Sequence, residues 1–93
     1  MLKVGLLGAG RIGQVHAQTI TAHRSSELTA VSDFYSEAAE KLAREYGSAA
    51  RSTEDILADP AIDAVLIATS TDTHSDLIEA ATQAGKAVLC EKP

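Results

Sequence analysis

The chain is poor in the residues that several classes of protein require. Its single cysteine, Cys90, excludes an internal disulfide bond, which suits a reducing cytoplasm. No basic cluster occurs and the net charge is −5, which argues against a nucleic-acid partner. The longest apolar run, residues 64–68, is too short to cross a membrane. Histidine, cysteine and carboxylate residues nowhere show metal-ligand spacing, so we expect no metal site.

Aromatic residues are also scarce, so a core has to be built from Val, Ile, Leu and Ala. Apolar runs that predict strands alternate with helical patterns along the chain. The predicted strands are residues 3–7, 27–33, 48–51, 64–68 and 87–90, and the predicted helices are residues 11–24, 36–46, 52–59 and 73–84. This alternation favours parallel strands with right-handed connections. We therefore predict one α/β domain over residues 1–93, a doubly wound sheet of about five strands in the order 3-2-1-4-5.

The first predicted helix carries its larger apolar residues on one arc of a helical wheel, which predicts its packing face. That arc consists of Ile12, Val15, His16, Thr19, Ile20 and His23. Because both histidines fall on this arc, we interpret them as packing residues and not as catalytic ones. In the second helix the corresponding face consists of Ala39, Leu42, Ala43 and Tyr46.

A glycine motif, Gly8-Ala9-Gly10-Arg11-Ile12-Gly13, lies between the first strand and the first helix. A strand, these glycines, a helix, a second strand and an acid, in that order, are typical of a dinucleotide-binding domain. Gly8 allows a tight turn, Gly10 lets the backbone approach a pyrophosphate, and Gly13 lets the helix pack close to the strand. The helix that starts with Arg11 and Ile12 presents free N–H groups and its positive dipole end to the phosphates.

Asp33 ends the second predicted strand, 20 positions after Gly13. Its carboxylate can accept hydrogen bonds from the hydroxyls of an adenosine ribose and would repel a phosphate there, which predicts NAD as the cofactor. Phe34 and Tyr35 bring no positive charge, and Arg11 is the only nearby cation for a 2′-phosphate. The alternative role for Asp33 is that of an ordinary turn carboxylate.

The whole chain resembles the Gfo/Idh/MocA oxidoreductases, and within them the inositol 2-dehydrogenases. The resemblance is carried by the glycine motif with His16-Ala17, by Asp33, by the segment 68–74, and most specifically by the closing Glu91-Lys92-Pro93. It implies an NAD- or NADP-dependent dehydrogenase that moves hydride between a nicotinamide and a sugar or polyol such as myo-inositol. It also implies that residues 1–93 are the N-terminal part of a larger, homo-oligomeric enzyme and are inactive alone.

The resemblance assigns further cofactor contacts to the turn after the fourth strand, at Thr69, Ser70, Thr71 and His74. Ligands of open α/β sheets bind outside the carboxyl ends of the strands, where this turn is expected to lie. Ser70 departs from many members of the family, which carry proline there. Capping of the following helix is an alternative role for Thr71, and we interpret His74 as neutral and structural because the helix dipole disfavours a cation there.

The resemblance also implies that Lys92 lies nearest to the chemistry, as a catalytic and cofactor-binding residue. An ammonium there can orient a substrate hydroxyl and stabilise developing negative charge. Glu91 would position Lys92 or the backbone beside the cofactor. A second domain would supply the catalytic Asp and His. Two alternatives remain open, which are an NADP-linked or imine-reducing oxidoreductase of the same fold and a stand-alone nucleotide-binding module without chemistry.

Overall fold

The computed structural model of the chain describes residues 2–69 and 74–90. Its elements are β1 (Leu2–Leu7), α1 (Arg11–Ala22), β2 (Ser26–Ser32), α2 (Ser36–Tyr46), β3 (Ala49–Ala50), α3 (Thr53–Ala58), β4 (Ala64–Ile67), α4 (His74–Gln83) and β5 (Ala87–Cys90). The strands are parallel and stand in the order β3-β2-β1-β4-β5. The predicted fold class and strand order are therefore confirmed.

The predicted ends of the elements agree with the observed ends to within two residues, and α2 and β5 match at both ends. The largest relative difference is at β3, which was expected over residues 48–51 and comprises only Ala49 and Ala50. This strand lies at the edge of the sheet and pairs only with Ala30 and Val31 of β2. Two predicted helix ends are confirmed by geometry, because the hydroxyl of Ser52 caps α3 and Gly47 ends α2 with φ +68°.

The helices cover the two faces of the sheet in pairs. On one face, α1 and α2 pack on a core that includes Val4, Leu6, Leu28 and Val31. On the other face, α3 and α4 pack on a core that includes Leu7, Val65 and Ile67. The α2 packing face was predicted correctly, since Ala39, Leu42 and Ala43 are buried and Tyr46 is partly buried against the same core.

The predicted packing face of α1 is correct at Ile20, which is buried, and wrong at most of its other positions. The helix buries Gly13, Ala17 and Ile20, whereas Ile12 and Val15 are 46% and 54% exposed and Thr19 and His23 are also exposed. His16 is half-buried. The physical reason is distance, because small residues on the sheet side let the helix axis approach β1, and larger side chains on that side would hold it away.

Gly13 shows how close this approach is. A Cβ built on Gly13 would overlap the carbonyl oxygen of Gly8 and lie 2.8 Å from the carbonyl carbon of the same residue. Both of these atoms belong to the backbone, so no side-chain rotation can relieve the overlap. The first turn of α1 therefore rests directly on the turn that leaves β1.

At the edge of the sheet where the parallel strands begin, charged side chains connect β5 to the loop before β4. Lys86 is 9% exposed, and its ammonium donates hydrogen bonds to the carbonyl oxygens of Asp59 at 2.7 Å and Ile62 at 2.8 Å. The carboxylate of Asp59 accepts a hydrogen bond of 2.6 Å from the guanidinium of Arg51. This bond, followed by one from the Ala61 N–H, lowers the pKa of Asp59. These contacts join β5 to the loop between α3 and β4.

The contact between Gly13 and Gly8 predicts a large difference between two glycine substitutions. We expect Gly13→Ala to lower the free energy of unfolding by about 3 kcal/mol or more, because the added methyl group must displace backbone. Gly10→Ala is the matched control, since a Cβ there meets nothing within 4 Å. It should change stability by less than about 1 kcal/mol. Urea unfolding followed by circular dichroism measures both, and equal effects would contradict this account of α1.

Candidate functional site

The turn after β1 is fixed between the two neighbouring strands. Gly8 has φ +115°, a conformation that favours glycine, and its N–H donates a hydrogen bond of 2.8 Å to the carbonyl of Ser32 at the end of β2. On the other side, a Cβ on Gly8 would lie 2.7 Å from the backbone of Ala68, just after β4. The glycine motif is thus held at the carboxyl ends of three adjacent strands.

The N-terminus of α1 is open to an anion. Gly10 is its N-cap and provides no side-chain capping hydrogen bond, and the first turn contains no acidic residue. Gly10 is exposed, and the space where its Cβ would stand is empty to at least 4 Å. Arg11 and Ile12 form the first turn and are both exposed. A twelve-residue helix thus presents its unpaired N–H groups and its positive dipole end to open space.

Asp33 joins the glycine motif to the turn after β2. One carboxylate oxygen accepts a hydrogen bond of 2.8 Å from the N–H of Ala9, and the other accepts one of 2.9 Å from the N–H of Tyr35. The second bond is that of a turn carboxylate, so the alternative role of Asp33 is also present. The first bond holds the carboxylate beside the glycine motif. Since each carboxylate oxygen can accept two hydrogen bonds, acceptor capacity remains for a ligand hydroxyl.

A cleft of about 780 Å³ connects these groups, a volume in the range of small-molecule sites. Its lining residues come from the segments that follow β1, β2 and β4 and from the starts of α2, α3 and α4: Gly10, Ser32, Asp33, Phe34, Tyr35, Ala38, Thr53, Ala68, Thr69, Asp76 and Leu77. Within the described ranges 2–69 and 74–90, the cleft lining contains two carboxylates and no lysine or arginine.

The structure brings several of the predicted cofactor residues together. Gly10, Asp33 and Thr69 line one cleft, and Gly8 and Gly13 shape the turn beside it. Arg11 and Ile12 stand at the adjoining first turn of α1. His74 begins α4, and its side chain is outside what is described. Ser70, Thr71, Glu91 and Lys92 all lie outside the described residues.

Sequence reasoning did not identify some of the residues that line the cleft. Asp76 lies in the first turn of α4, where an acid is also expected simply to stabilise the helix. Thr53 begins α3, and its hydroxyl lies 2.9 Å from that of Ser32. Each lies at the start of a helix that follows a parallel strand. That position could have been used to predict both residues, because ligands bind outside the carboxyl ends of such strands. Phe34 and Tyr35 are 92% and 70% exposed and pack edge to face.

A second cavity, of about 610 Å³, lies near the amino-terminal end of β2 and is lined by residues that include His23, Glu27 and Tyr46. Its lining includes Arg24 but no glycine motif and no helix N-terminus, which in the cleft present backbone N–H groups to an anion. Among the residues described, no three His, Cys, Asp or Glu side chains are grouped so that they could hold a metal ion. In the same residues, no helix is long and apolar enough to span a membrane.

Comparison with known proteins agrees with this geometry. Residues 2–93 match the model of the Gfo/Idh/MocA oxidoreductase family, NAD-binding Rossmann fold. An inositol 2-dehydrogenase of Rhizobium meliloti is 51% identical over 92 residues, which cover 99% of this chain and 28% of that protein. The chain therefore spans little more than a quarter of the length of this relative.

Solved structures of similar proteins share the fold. A protein from Sinorhizobium meliloti 1021 superposes with a TM-score of 0.98 at 50% identity, over 100% of this chain and 28% of its own. A biliverdin reductase from Synechocystis, solved with biliverdin and NADP+, gives a TM-score of 0.92 at 35% identity, over 99% and 29%. The fold by itself thus admits a 2′-phosphorylated cofactor. With residues 2–93 matched by the family model, the chain belongs to the Gfo/Idh/MocA oxidoreductase family and has its NAD-binding Rossmann fold.

Proposed function

We propose that this chain is the NAD-binding part of a dehydrogenase that oxidises a polyol such as myo-inositol. The observation that carries the proposal is the hydrogen bond from Ala9 to Asp33, which holds a carboxylate beside an uncapped helix N-terminus. A dinucleotide requires this pair of features, an anion site for its pyrophosphate and an acceptor for its ribose hydroxyls. The inositol 2-dehydrogenase relative supports the substrate class.

The residues fit the cofactor in chemical terms. Gly10 leaves open the space that a pyrophosphate would need, and the N–H groups of the first turn of α1 supply donors for its oxygens. Asp33 is fixed by two backbone donors and so can accept from a ribose hydroxyl without first being ordered. When bound, NAD supplies the hydride acceptor, and the domain orients it.

The charges in the cleft favour NAD over NADP. Asp33 and Asp76 are both acidic, and no lysine or arginine among the described residues lines the cleft with them. A 2′-phosphate placed beside Asp33 would meet like charge without a compensating cation from the lining. Arg11 is a candidate cation that follows Gly10 in the chain, but it stands at the first turn of α1 and not in the lining.

The first test of this proposal measures cofactor preference. We expect the dissociation constant for NAD to be at least about tenfold lower than that for NADP. Asp33→Ser should weaken NAD binding by about 10- to 100-fold and bring the dissociation constants for NAD and NADP closer together. The substitution removes the charge-assisted hydrogen bonds between the carboxylate and the ribose hydroxyls, worth about 1.5–3 kcal/mol. It also removes the repulsion between that carboxylate and the 2′-phosphate of NADP. Titration calorimetry with both cofactors measures this.

Glu37→Ser is the matched control, because it removes an exposed carboxylate from the first turn of α2. It should leave both dissociation constants within about twofold, since an exposed charge outside the cleft is screened. Equal or tighter binding of NADP by the unmodified chain would refute the preference. An unchanged preference in Asp33→Ser would do the same.

The second test blocks the path of the pyrophosphate. Gly10→Val should reduce NAD affinity by about 10- to 100-fold or more, because the side chain fills the open space at the N-terminus of α1. The fold should persist, since Gly10 has φ −76° and ψ −163°, an extended conformation that valine adopts readily. Gln18→Val, on the exposed side of the same helix, is the control. A folded Gly10→Val protein that binds NAD normally would show that the glycines form only a turn.

Substrate turnover requires more than the described residues provide. A general base must reach the proton that it removes, and a wall must hold the alcohol carbon against the nicotinamide. We propose that both come from a second domain of a longer, cytoplasmic and homo-oligomeric enzyme, of which residues 1–93 are the first domain. Within this chain we assign Lys92, with Glu91 beside it, to the orientation of the substrate hydroxyl.

The third test separates binding from chemistry. Residues 1–93 alone should bind NAD and show no myo-inositol oxidation, because in the proposed function the general base comes from the second domain. In the longer enzyme, Lys92→Ala should lower kcat by about 100-fold, in the range of electrostatic catalysis, while NAD affinity changes little. Lys41→Ala, which removes an exposed lysine of α2, should be neutral. Polyol oxidation by residues 1–93, measured as NADH absorbance, would disprove the proposal that this chain binds the cofactor and a second domain supplies the general base. Full activity of Lys92→Ala would disprove the role assigned to Lys92.

A further inference from the structure

Asp76 is a carboxylate of the cleft that has no role in the binding of pyrophosphate and ribose described above. It stands in the first turn of α4 and lines the cleft, and its side chain is exposed. Among the residues that the structure describes, it has no hydrogen-bond or ion-pair partner. An acid in the first turn stabilises a helix through the dipole, an effect that leaves its oxygens open to a ligand. Asp76 is therefore a free acceptor at the wall of the cleft.

The covalent structure of a dinucleotide determines which of its groups lies near Asp76. In the proposed function the pyrophosphate lies at Gly10 and the adenosine ribose at Asp33. The base and the phosphate are attached to different carbons of the ribose, so the base extends into the part of the cleft beyond Asp33. The lining residues of that part include Phe34, Tyr35, Thr53, Asp76 and Leu77.

The strand order gives this part of the cleft a width that suits one base. β1 stands between β2 and β4, so the ends of β2 and β4 are about 10 Å apart at the usual spacing of strands. Asp33 follows β2, and Asp76 lies in the first turn of the helix after β4. A ribose held at Asp33 therefore leaves room for a single planar base before Asp76.

The lining of this part combines apolar walls with one charged acceptor. Phe34 and Tyr35 are 92% and 70% exposed, so their rings offer a large aromatic area on which a base can stack. Leu77 is half-buried and packs against the core beneath α3 and α4. Stacking accepts every base, because each base has a π-face. Among the described residues beyond Asp33, Asp76 is the one charged group of the lining, so it is the group that can distinguish one base from another.

We propose that Asp76 selects the base of the cofactor by accepting a hydrogen bond from the exocyclic amino group of adenine, and this inference rests on the proposed function. An ionised carboxylate accepts hydrogen bonds and cannot donate them, so it requires a donor on the base. Hypoxanthine and guanine carry a carbonyl oxygen where adenine carries the amino group, and that oxygen would face the carboxylate. Asp76 thus makes the cleft specific for a 6-aminopurine, whereas Asp33 contacts the sugar.

A change of one group on the base tests this role. Titration calorimetry compares NAD with nicotinamide hypoxanthine dinucleotide, in which a carbonyl oxygen replaces the amino group. We expect the hypoxanthine dinucleotide to bind the unmodified chain at least about tenfold more weakly, because a charge-assisted hydrogen bond is replaced by repulsion between two acceptors. The ring N–H of hypoxanthine adjoins that oxygen, so it reaches Asp76 only when the oxygen also lies against the carboxylate.

Asp76→Asn should bring the two dissociation constants to within about threefold of each other, because an amide offers its oxygen to adenine or its N–H to hypoxanthine. Asp76→Ser, whose hydroxyl both donates and accepts, should do the same and serves if the first variant does not fold. Glu79→Gln is the matched control, because Glu79 is exposed on the same helix and lies outside the cleft lining. It should keep the ratio of the two constants within about twofold of that of the unmodified chain, since an exposed charge outside the cleft is screened.

The ratio of the two dissociation constants separates base selection from a merely structural role. A weakened α4 would change both affinities together and leave the ratio as it was, so an unchanged ratio in folded Asp76→Asn would overturn the proposal. A ratio near one in the unmodified chain, with NAD bound, would overturn it as well and leave the proposed function intact. Absence of NAD binding by the unmodified chain would refute the proposed function and this inference with it.

Discussion

The structure depends on the direct contact between the backbone of β1 and the backbone of α1. Gly13 rests against the carbonyl of Gly8, and no side chain fits between them. This contact brings the helix axis close to the sheet and aims the N-terminus of α1 at the carboxyl edge, where the cleft lies. The same approach decides which residues of α1 are buried, and it leaves Ile12 and Val15 exposed.

The hydrogen bond from the N–H of Ala9 to Asp33 fixes the glycine motif and also holds a negative charge in the cleft. The carboxylate forms part of the turn and, in the proposed function, also accepts hydrogen bonds from the ribose. Its position is therefore over-determined by two backbone donors, which reduces the ordering cost of binding. In the proposed function, this fixed carboxylate is the group that disfavours a 2′-phosphate, because the same fold in a related reductase was solved with NADP+.

The sequence was sufficient to predict the element order, the strand order and the glycine motif, because each depends on local patterns and on the handedness of connections. It was insufficient for the face of α1, because a helical wheel ranks side chains by hydrophobicity and does not record how near the sheet lies. The burial of Lys86 could not be predicted from the sequence either, because its hydrogen-bond partners are backbone carbonyls that are distant in sequence. Asp76 could not be assigned to the cleft from the sequence, because it lies there only through the pairing of β4 with β1.

The most direct test of the central claim is the map of amide chemical shifts when NAD is titrated into isotope-labelled protein. Binding at the glycine motif predicts the largest shifts at the amides of Ala9, Gly10 and Ile12 and at Tyr35, whose N–H bonds to Asp33. Shifts concentrated instead at His23, Glu27 and Tyr46, around the second cavity near the amino-terminal end of β2, would contradict it.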